Sequence, residues 1–425
     1  MTSKLSAARH LAALGFIVLL CALAVEAAGT FWFWWETGRL VYLNVQPQAQ
    51  AAPPAGCKFR IHPYFGFTFP YDSRCEILAH TFQTSNLGFL QRSAVHVPFR
   101  PADKDFVVAI FGGSVAAGVA TSPPLLRELL QSGPALADRN VIVVNMAQGA
   151  GKQPQQLIEM SYLLALGQHL DVAVNIDGFN EFSLGYANIL GGMDPSLPAA
   201  GIVDGLTFET SLDAASQNYY ELAYRISSGR AAVRENTARA DGATTGAGFL
   251  AHRVLLAWHQ IALARSLAEY DAFMRGSKAS DKRKSLSLDM PAGVSGAEGF
   301  ETIFGLWLRS SKAMRTLAQA SGITYVHIVQ PNQYYSAKHF GEEEKRIALS
   351  LPADHPYSFG TRNGYRILTE RSAELDAAGI VSAIGLFDRE DEPTFIDNCC
   401  HYNARGDAIF NRFVADQVLR QLPGK

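Results

Sequence analysis

Neither sign of charge dominates this 425-residue sequence: 37 Lys and Arg stand against 39 Asp and Glu, a formal net charge of -2. Without surplus positive charge the chain has little with which to neutralise phosphates, so nucleic acid is not an expected partner. The one dense basic cluster, Lys278 with Lys282, Arg283 and Lys284, sits among Ser, Asp and Gly and reads as a solvated loop. Cysteine is scarce as well. Five in a chain of this length make no disulfide scaffold, and no C-x-x-C pair marks a structural zinc or a redox dithiol. No H-E-x-x-H or similar spacing offers a metal site. What remains is 48% hydrophobic and 18% charged, ample material for one or two folded units.

Leu11 to Val25 is an uncharged apolar stretch, and after Glu26 the sequence resumes as AAGTFWFWW up to Trp35. At about 1.5 Å per residue, residues 11–35 suffice to cross a hydrocarbon core of roughly 30 Å, with Phe31 to Trp35 as an aromatic belt at the far interface. The competing reading is a cleaved signal peptide, with Lys4 and Arg9 as its charged start and the small residues Val25 and Ala27 near a cut. The aromatic cluster has a physical role only if the segment stays, which favours the anchor. Both readings export the chain. Residues 1–10 stay cytoplasmic by the positive-inside tendency, and everything after Trp35 lies outside, in a periplasmic setting. There disulfides are permissible, and Cys57 and Cys75 are close enough in sequence to close a loop. Residues 36–56 read as a linker, with Asn44 to Gly56 rich in Pro, Gln and Ala.

From residue 57 onward, short apolar runs alternate with helical patterns: Phe106 to Phe111, Val141 to Val144, Val172 to Ile176 and Ile323 to Val329. That rhythm predicts a parallel sheet in an α/β fold, arranged as a three-layer α/β/α sandwich. Ser122 before Pro123 and Pro124 is expected to start a helix, and Ile409, Phe410, Phe413, Val414 and Val418 form a helical stripe suited to packing on a sheet. The stretch between Glu181 and Ile323 is far longer than a crossover needs. Residues of about 190–320 are therefore expected to form a helical insertion, with Phe249 to Met274 as one long helix, near the C-terminal ends of the strands where such sheets bind ligands.

The first strand runs into Phe111-Gly112-Gly113-Ser114-Val115-Ala116-Ala117-Gly118. A phosphate-cradling G-x-x-x-x-G-K-[ST] loop fails, because Val119 and Ala120 stand where Lys and Ser/Thr are needed. A dinucleotide G-x-G-x-x-G fails on spacing. A G-x-S-x-G elbow has Gly112 and Ser114 but Ala116 in place of its last glycine. A serine at a strand exit remains, and it needs partners. The second strand is followed by Asn145-Met-Ala-Gln-Gly149-Ala150-Gly151, a small-residue turn in which amides approach a ligand closely. The third is followed by Gly178-Phe179-Asn180-Glu181, and near the C-terminus stands Asp397-Asn398-Cys399-Cys400-His401. Ser114, Gly149 and Asn180 supply a nucleophile and oxyanion donors; Asp397 and His401 supply an orienter and a base. His252, His259 and His327 sit in helical or strand patterns and read as structural, as do Cys399 and Cys400.

In these four blocks, in this order, the sequence resembles the SGNH/GDSL hydrolase family, from about His62 to the end and interrupted by the insertion. HPYFGFTF at His62 to Phe69, SNLGF at Ser85 to Phe89 and VQPNQYY at Val329 to Tyr335 resemble members with an N-terminal membrane segment. The resemblance implies a flavodoxin-like sandwich, Ser114 as nucleophile, His401 as general base and Asp397 as its orienter. It also implies an oxyanion hole made of the Ser114 amide, the Gly149 amide and the Asn180 side chain. Two departures stand out. The family's first block reads Gly-Asp-Ser, and Gly113 holds the place of the Asp. Its last block reads D-x-x-H, whereas here Asn398 is three residues before His401 and Asp397 four, so either orients the imidazole; Gly149, Ala150 and Gly151 are likewise alternative amide donors. The implied activity is that of a membrane-anchored, extracytoplasmic serine esterase that needs no metal or organic cofactor. Its substrate would be an acyl-ester small molecule or an acylated polysaccharide. An O-acyltransferase acting on an envelope polysaccharide and a noncatalytic binding protein of the same fold are the alternatives.

Overall fold

The computed structural model describes residues 2–44, 57–77, 80–206, 214–276 and 296–422. They fall into two compact units, one of Met1–Ala52 with Thr210–Arg283 and one of Pro53–Glu209 with Lys284–Lys425. Apart from Asn44, the expected tether from Asn44 to Gly56 lies outside the described residues, as does the basic cluster at Lys278 to Lys284.

In the first unit a single helix runs from Thr2 to Thr37, and its Ala13–Thr37 portion, whose most apolar 18-residue window has a mean hydropathy of 2.1, is long and apolar enough to cross a membrane. Its side chains from Leu14 to Leu20 are largely exposed. Two further helices, Ala214–Asp241 and Gly246–Gly276, pair along their lengths as a hairpin, and the second also packs on the N-terminal helix. Phe33 and Phe249 meet edge-to-face at 5.2 Å there. The expected helix from Phe249 to Met274 lies within the second of these.

The second unit is built on five parallel strands, β1 (Asp105–Gly112), β2 (Asn140–Asn145), β3 (Val172–Asp177), β4 (Thr324–Val329) and β5 (Ile380–Ser382), in the order β2-β1-β3-β4-β5. The α/β class and the parallel sheet follow the sequence expectation. Every residue of β3 is buried, which is why it reads as an unbroken run instead of an alternation. Along β1 the pleat divides the side chains by parity. Val108 and Ile110 join Val119, Leu130, Phe410 and Val414, while Val107, Ala109 and Phe111 join Met160, Leu163, Met314 and Ala318. Apolar helix surfaces therefore cover β1 from both sides. The helix Ala297–Ala320 also packs Phe304 and Trp307 against β4, in one cluster with Val329 and Ile380.

One helix boundary differs from expectation. Ser122 ends the helix Ser114–Thr121, with its N–H donated to Gly118 O at 2.6 Å, and the next helix begins at Leu126. Pro123 and Pro124 have no N–H to continue a helix, so they suit the gap after its end. Before the sheet, short strands between Arg60 and Gln91 form two small antiparallel sheets, and a disulfide joins Cys57, just ahead of the first, to Cys75 in the second. The segment is stitched to β2: Gln91 Nε2 donates to Asn145 O at 2.6 Å, and Asn145 N to Gln91 Oε1 at 3.0 Å.

In a sheet of this order the connections leaving β1 and β3 diverge, and the crevice between them at the carboxyl ends of the strands is where ligands settle. Ser114 follows β1 and Asn180 follows β3.

Candidate active site

β1 ends on Gly112, whose φ of +138° and close approach to β3 exclude any side chain, since a Cβ there would lie 2.0 Å from Ile176 O. Gly113 caps the helix Ser114–Thr121, which places Ser114 at its first position. The first-turn N–H groups have no intrahelical acceptor, and they gather the positive end of the helix dipole at the serine.

Ser114 Oγ lies 2.7 Å from His401 Nε2, and His401 Nδ1 lies 2.5 Å from Asp397 Oδ2. Asp397 uses its other oxygen, Oδ1, to accept the N–H groups of Cys399, Cys400 and His401 at 2.9, 3.1 and 3.2 Å. Burial acts to raise the Asp397 pKa, but the hydrogen bond and charge of His401, with the N–H groups of Cys399 and His401, outweigh it and hold the carboxyl below its ordinary value. A carboxylate that stays ionised fixes the imidazole with its proton on Nδ1 and its lone pair facing Ser114. Asn398 faces elsewhere, with its amide on Ser350 Oγ at 2.9 Å.

The loop bearing Asp397 and His401 is closed by an antiparallel bridge between Phe395 and Tyr402, and Ile396 N donates to His401 O at 3.1 Å. Three consecutive side chains after β4 then hold three consecutive carbonyls of the loop. Asn332 Nδ2 donates to Cys399 O at 3.2 Å, Gln333 Nε2 to Asp397 O at 3.1 Å and Tyr334 Oη to Asn398 O at 2.5 Å. The VQPNQYY stretch is thus the clamp on the histidine loop, a role its composition does not announce.

Asn180 is 8% exposed and donates through Nδ2 to Gly151 O at 2.8 Å, which leaves the second N–H of the amide for another acceptor. A Cβ on Gly113 would lie 2.2 Å from that same Nδ2, so Asn180 fills the space a side chain would take at the position before Ser114. Among the alternative donors of the second block, Gly151 N is already given to Gln148 O at 3.0 Å. Gly149 and Ala150 are half-buried, and Ala150 is held at φ +62°, a left-handed conformation that costs about 1 kcal/mol or more and recurs at functional turns. A Cβ on Gly149 would meet only Phe59 Cζ, at 3.7 Å, which puts an aromatic edge beside this turn.

Glu181, read in the sequence only as the end of a block, is the brace of the site. It is 3% exposed and accepts Gly178 N on Oε2 and Gln153 N on Oε1, both at 2.8 Å, tying the turn after β3 to the turn after β2. Burial, and then the charge of Asp177, push its carboxyl up to about 7.

A second Ser-His-Asp chain exists, with Ser311 Oγ 2.6 Å from His327 Nδ1 and His327 Nε2 2.7 Å from Asp177 Oδ1. All three residues are at most 2% exposed, so no substrate reaches them. This network, joined by Trp307 Nε1 at 2.8 Å from Asp177 Oδ1, is a satisfied core. Among the described residues, the Cys399 and Cys400 sulfurs and a His401 ring nitrogen lie within 4.8 Å of one another, but both ring nitrogens are engaged by Ser114 and Asp397.

A comparison with protein-family models finds no match, and neither does one with the curated proteins.

Proposed function

We propose that the chain is a membrane-anchored, extracytoplasmic serine hydrolase of the SGNH type acting on ester bonds, with the second unit as its three-layer α/β/α catalytic domain. The observation that carries the reading is the continuous hydrogen-bonded chain from Ser114 through His401 to Asp397 at the carboxyl end of the sheet. His401 Nε2 takes the Ser114 proton as Oγ attacks the ester carbonyl. The tetrahedral oxyanion is received by the N–H groups of Ser114 and Gly149 and the free N–H of Asn180. The imidazolium, held by Asp397, passes its proton to the departing alcohol, and an activated water then cleaves the acyl-enzyme. Substitution of that water by a sugar hydroxyl turns the same site into an O-acyltransferase. The apolar part of the amino-terminal helix, preceded by Lys4 and Arg9, orients this domain outside the cytoplasm.

The test is reaction of the full-length chain in detergent with a fluorophosphonate, beside Ser114→Ala and His401→Ala. Stoichiometric labelling of Ser114 that both substitutions abolish is the expected result. A folded chain that does not label would leave a binding protein on a hydrolase fold, and the reading would be withdrawn.

A further inference from the structure

The histidine loop carries two thiols that this chemistry does not use. Cys399 and Cys400 immediately precede His401, neither is in a disulfide, and their sulfurs lie 2.9 Å apart. That separation is inside van der Waals contact and within about 1 Å of a covalent S–S bond. Cys399 is partly exposed, whereas Cys400 is 1% exposed and sits behind it. The Cys57–Cys75 bond belongs to a compartment in which thiols oxidise.

We propose that Cys399 and Cys400 are a redox modification site, a vicinal dithiol that closes reversibly to a disulfide and in doing so disengages His401 from Ser114. The first half stands on the sulfur geometry; the second rests on the hydrolase reading. The oxidant is a disulfide, either a small molecule or an oxidoreductase. The accessible Cys399 thiolate attacks it, breaking its S–S bond and releasing one thiol. Cys400 then gives up its proton and attacks Cys399 Sγ, forming the Cys399–Cys400 bond and releasing the second thiol. Two electrons and two protons leave the pair, and one disulfide becomes two thiols.

Coupling to the site follows from the hydrogen bonds. The N–H groups of Cys399, Cys400 and His401 all converge on Asp397 Oδ1. The disulfide encloses the Cys399–Cys400 peptide unit in an eight-membered ring and turns it, so the one donor it carries, Cys400 N, leaves Oδ1, and the His401 N–H and imidazole attached to the next unit move with it. A ring of this size strains the bond, and strained disulfides are the readily reduced, regulatory ones.

The full-length chain in detergent, fully reduced and then equilibrated with glutathione disulfide, is alkylated, digested and mapped by mass, while its fluorophosphonate labelling is timed in parallel. The peptide carrying Cys399 and Cys400 should lose about 2 Da and take up no alkylating group. Labelling should slow by about a hundredfold, and dithiothreitol should restore both. Cys399→Ser should label at one rate under oxidant and reductant. Free alkylation of both cysteines after the oxidant, or a glutathione adduct that never resolves, overturns the site; a disulfide with unchanged labelling overturns the coupling. If the reduced chain does not label, the hydrolase reading falls, and the mass map still decides whether the dithiol oxidises.

Discussion

His401 Nδ1 meets Asp397 Oδ2 at 2.5 Å across four sequence positions. That spacing is accommodated because Asp397 Oδ1 collects three successive N–H groups, which curls the loop into a tight turn and leaves Oδ2 aimed at the ring. The intervening Asn398 is thrown outward to Ser350.

The two candidate orienters therefore separate cleanly. Asp397→Asn should slow Ser114 labelling by roughly 10²–10⁴, the scale set by loss of the correct imidazole tautomer in a serine triad. Asn398→Ala removes only an amide on a serine hydroxyl and should change the rate by less than about threefold, since a net hydrogen bond contributes about 1 kcal/mol to stability and none of it at the reacting atoms. Equal losses in the two variants would refute the assignment of Asp397.

Gly113 is open to a reversal experiment. Placing an acid there, as in the Gly-Asp-Ser block that the sequence resembles, Gly113→Asp, would drive a Cβ into Asn180 Nδ2, now 2.2 Å from that position, and displace the amide from Gly151 O. The outcome should be a loss of labelling rate on the order of 10²–10³, the usual effect of removing one oxyanion donor. A gain of rate would mean that Asn180 is not a donor as placed here.

Much of this was legible because buried parallel strands are continuous apolar runs, so the first four strands of the sheet could be read almost to the residue. β5 could not, because Ile380-Val381-Ser382 is too short to show a pattern. The helix after Ser114 was missed because SVAAGVAT is all small side chains and carries no amphipathic period. Ser114, Asn180 and His401 announced themselves by their places at strand exits and in the terminal loop. The choice between Asp397 and Asn398 did not, because it is made by the Phe395–Tyr402 bridge and by Asn332, Gln333 and Tyr334, more than 60 positions upstream. Glu181 escaped notice for the same reason: its partners at Gln153 and Gly178 meet only in the fold.

Glu159 sets a pH dependence of stability. Its carboxyl is 1% exposed, neither oxygen has a hydrogen-bond partner among the described residues, and burial raises its pKa well above the ordinary value. The native state thus keeps a proton that the unfolded chain releases above about pH 4.3. With fewer protons bound in the unfolded state, stability falls as pH rises from there toward the folded pKa. Glu159→Gln is neutral in both states and escapes that loss. The melting temperature of the variant relative to wild type should be near zero difference at pH 4 and higher at pH 8, by about 2–4 °C for each kcal/mol regained. A difference that does not change with pH would show that Glu159 is ionised in the fold.

Glu26 bears on whether the amino-terminal helix is kept. Its carboxylate accepts Gly246 N at 2.7 Å and Ala247 N at 2.8 Å, capping the second helix of the hairpin, and it also accepts the Tyr42 hydroxyl. The helices touch at paired glycines, where a Cβ on Gly29 would lie 1.9 Å from Gly246 O and one on Gly246 2.2 Å from Glu26 O. A carboxylate at a helix N-terminus satisfies N–H groups that otherwise lack acceptors, and losing such a cap costs about 1 kcal/mol or more. Cleavage after Ala27 would remove the Glu26 cap and leave Gly29 as the second residue of the mature chain. The intact mass of the protein purified from membranes should therefore include residues upstream of Glu26. Glu26→Ala should lower the midpoint at which the full-length chain loses helical circular dichroism, and Glu26→Asp should recover part of the difference. A mature chain beginning after Ala27, or an unchanged midpoint in Glu26→Ala, would mean that the hairpin stands without the anchor and that the segment serves export alone.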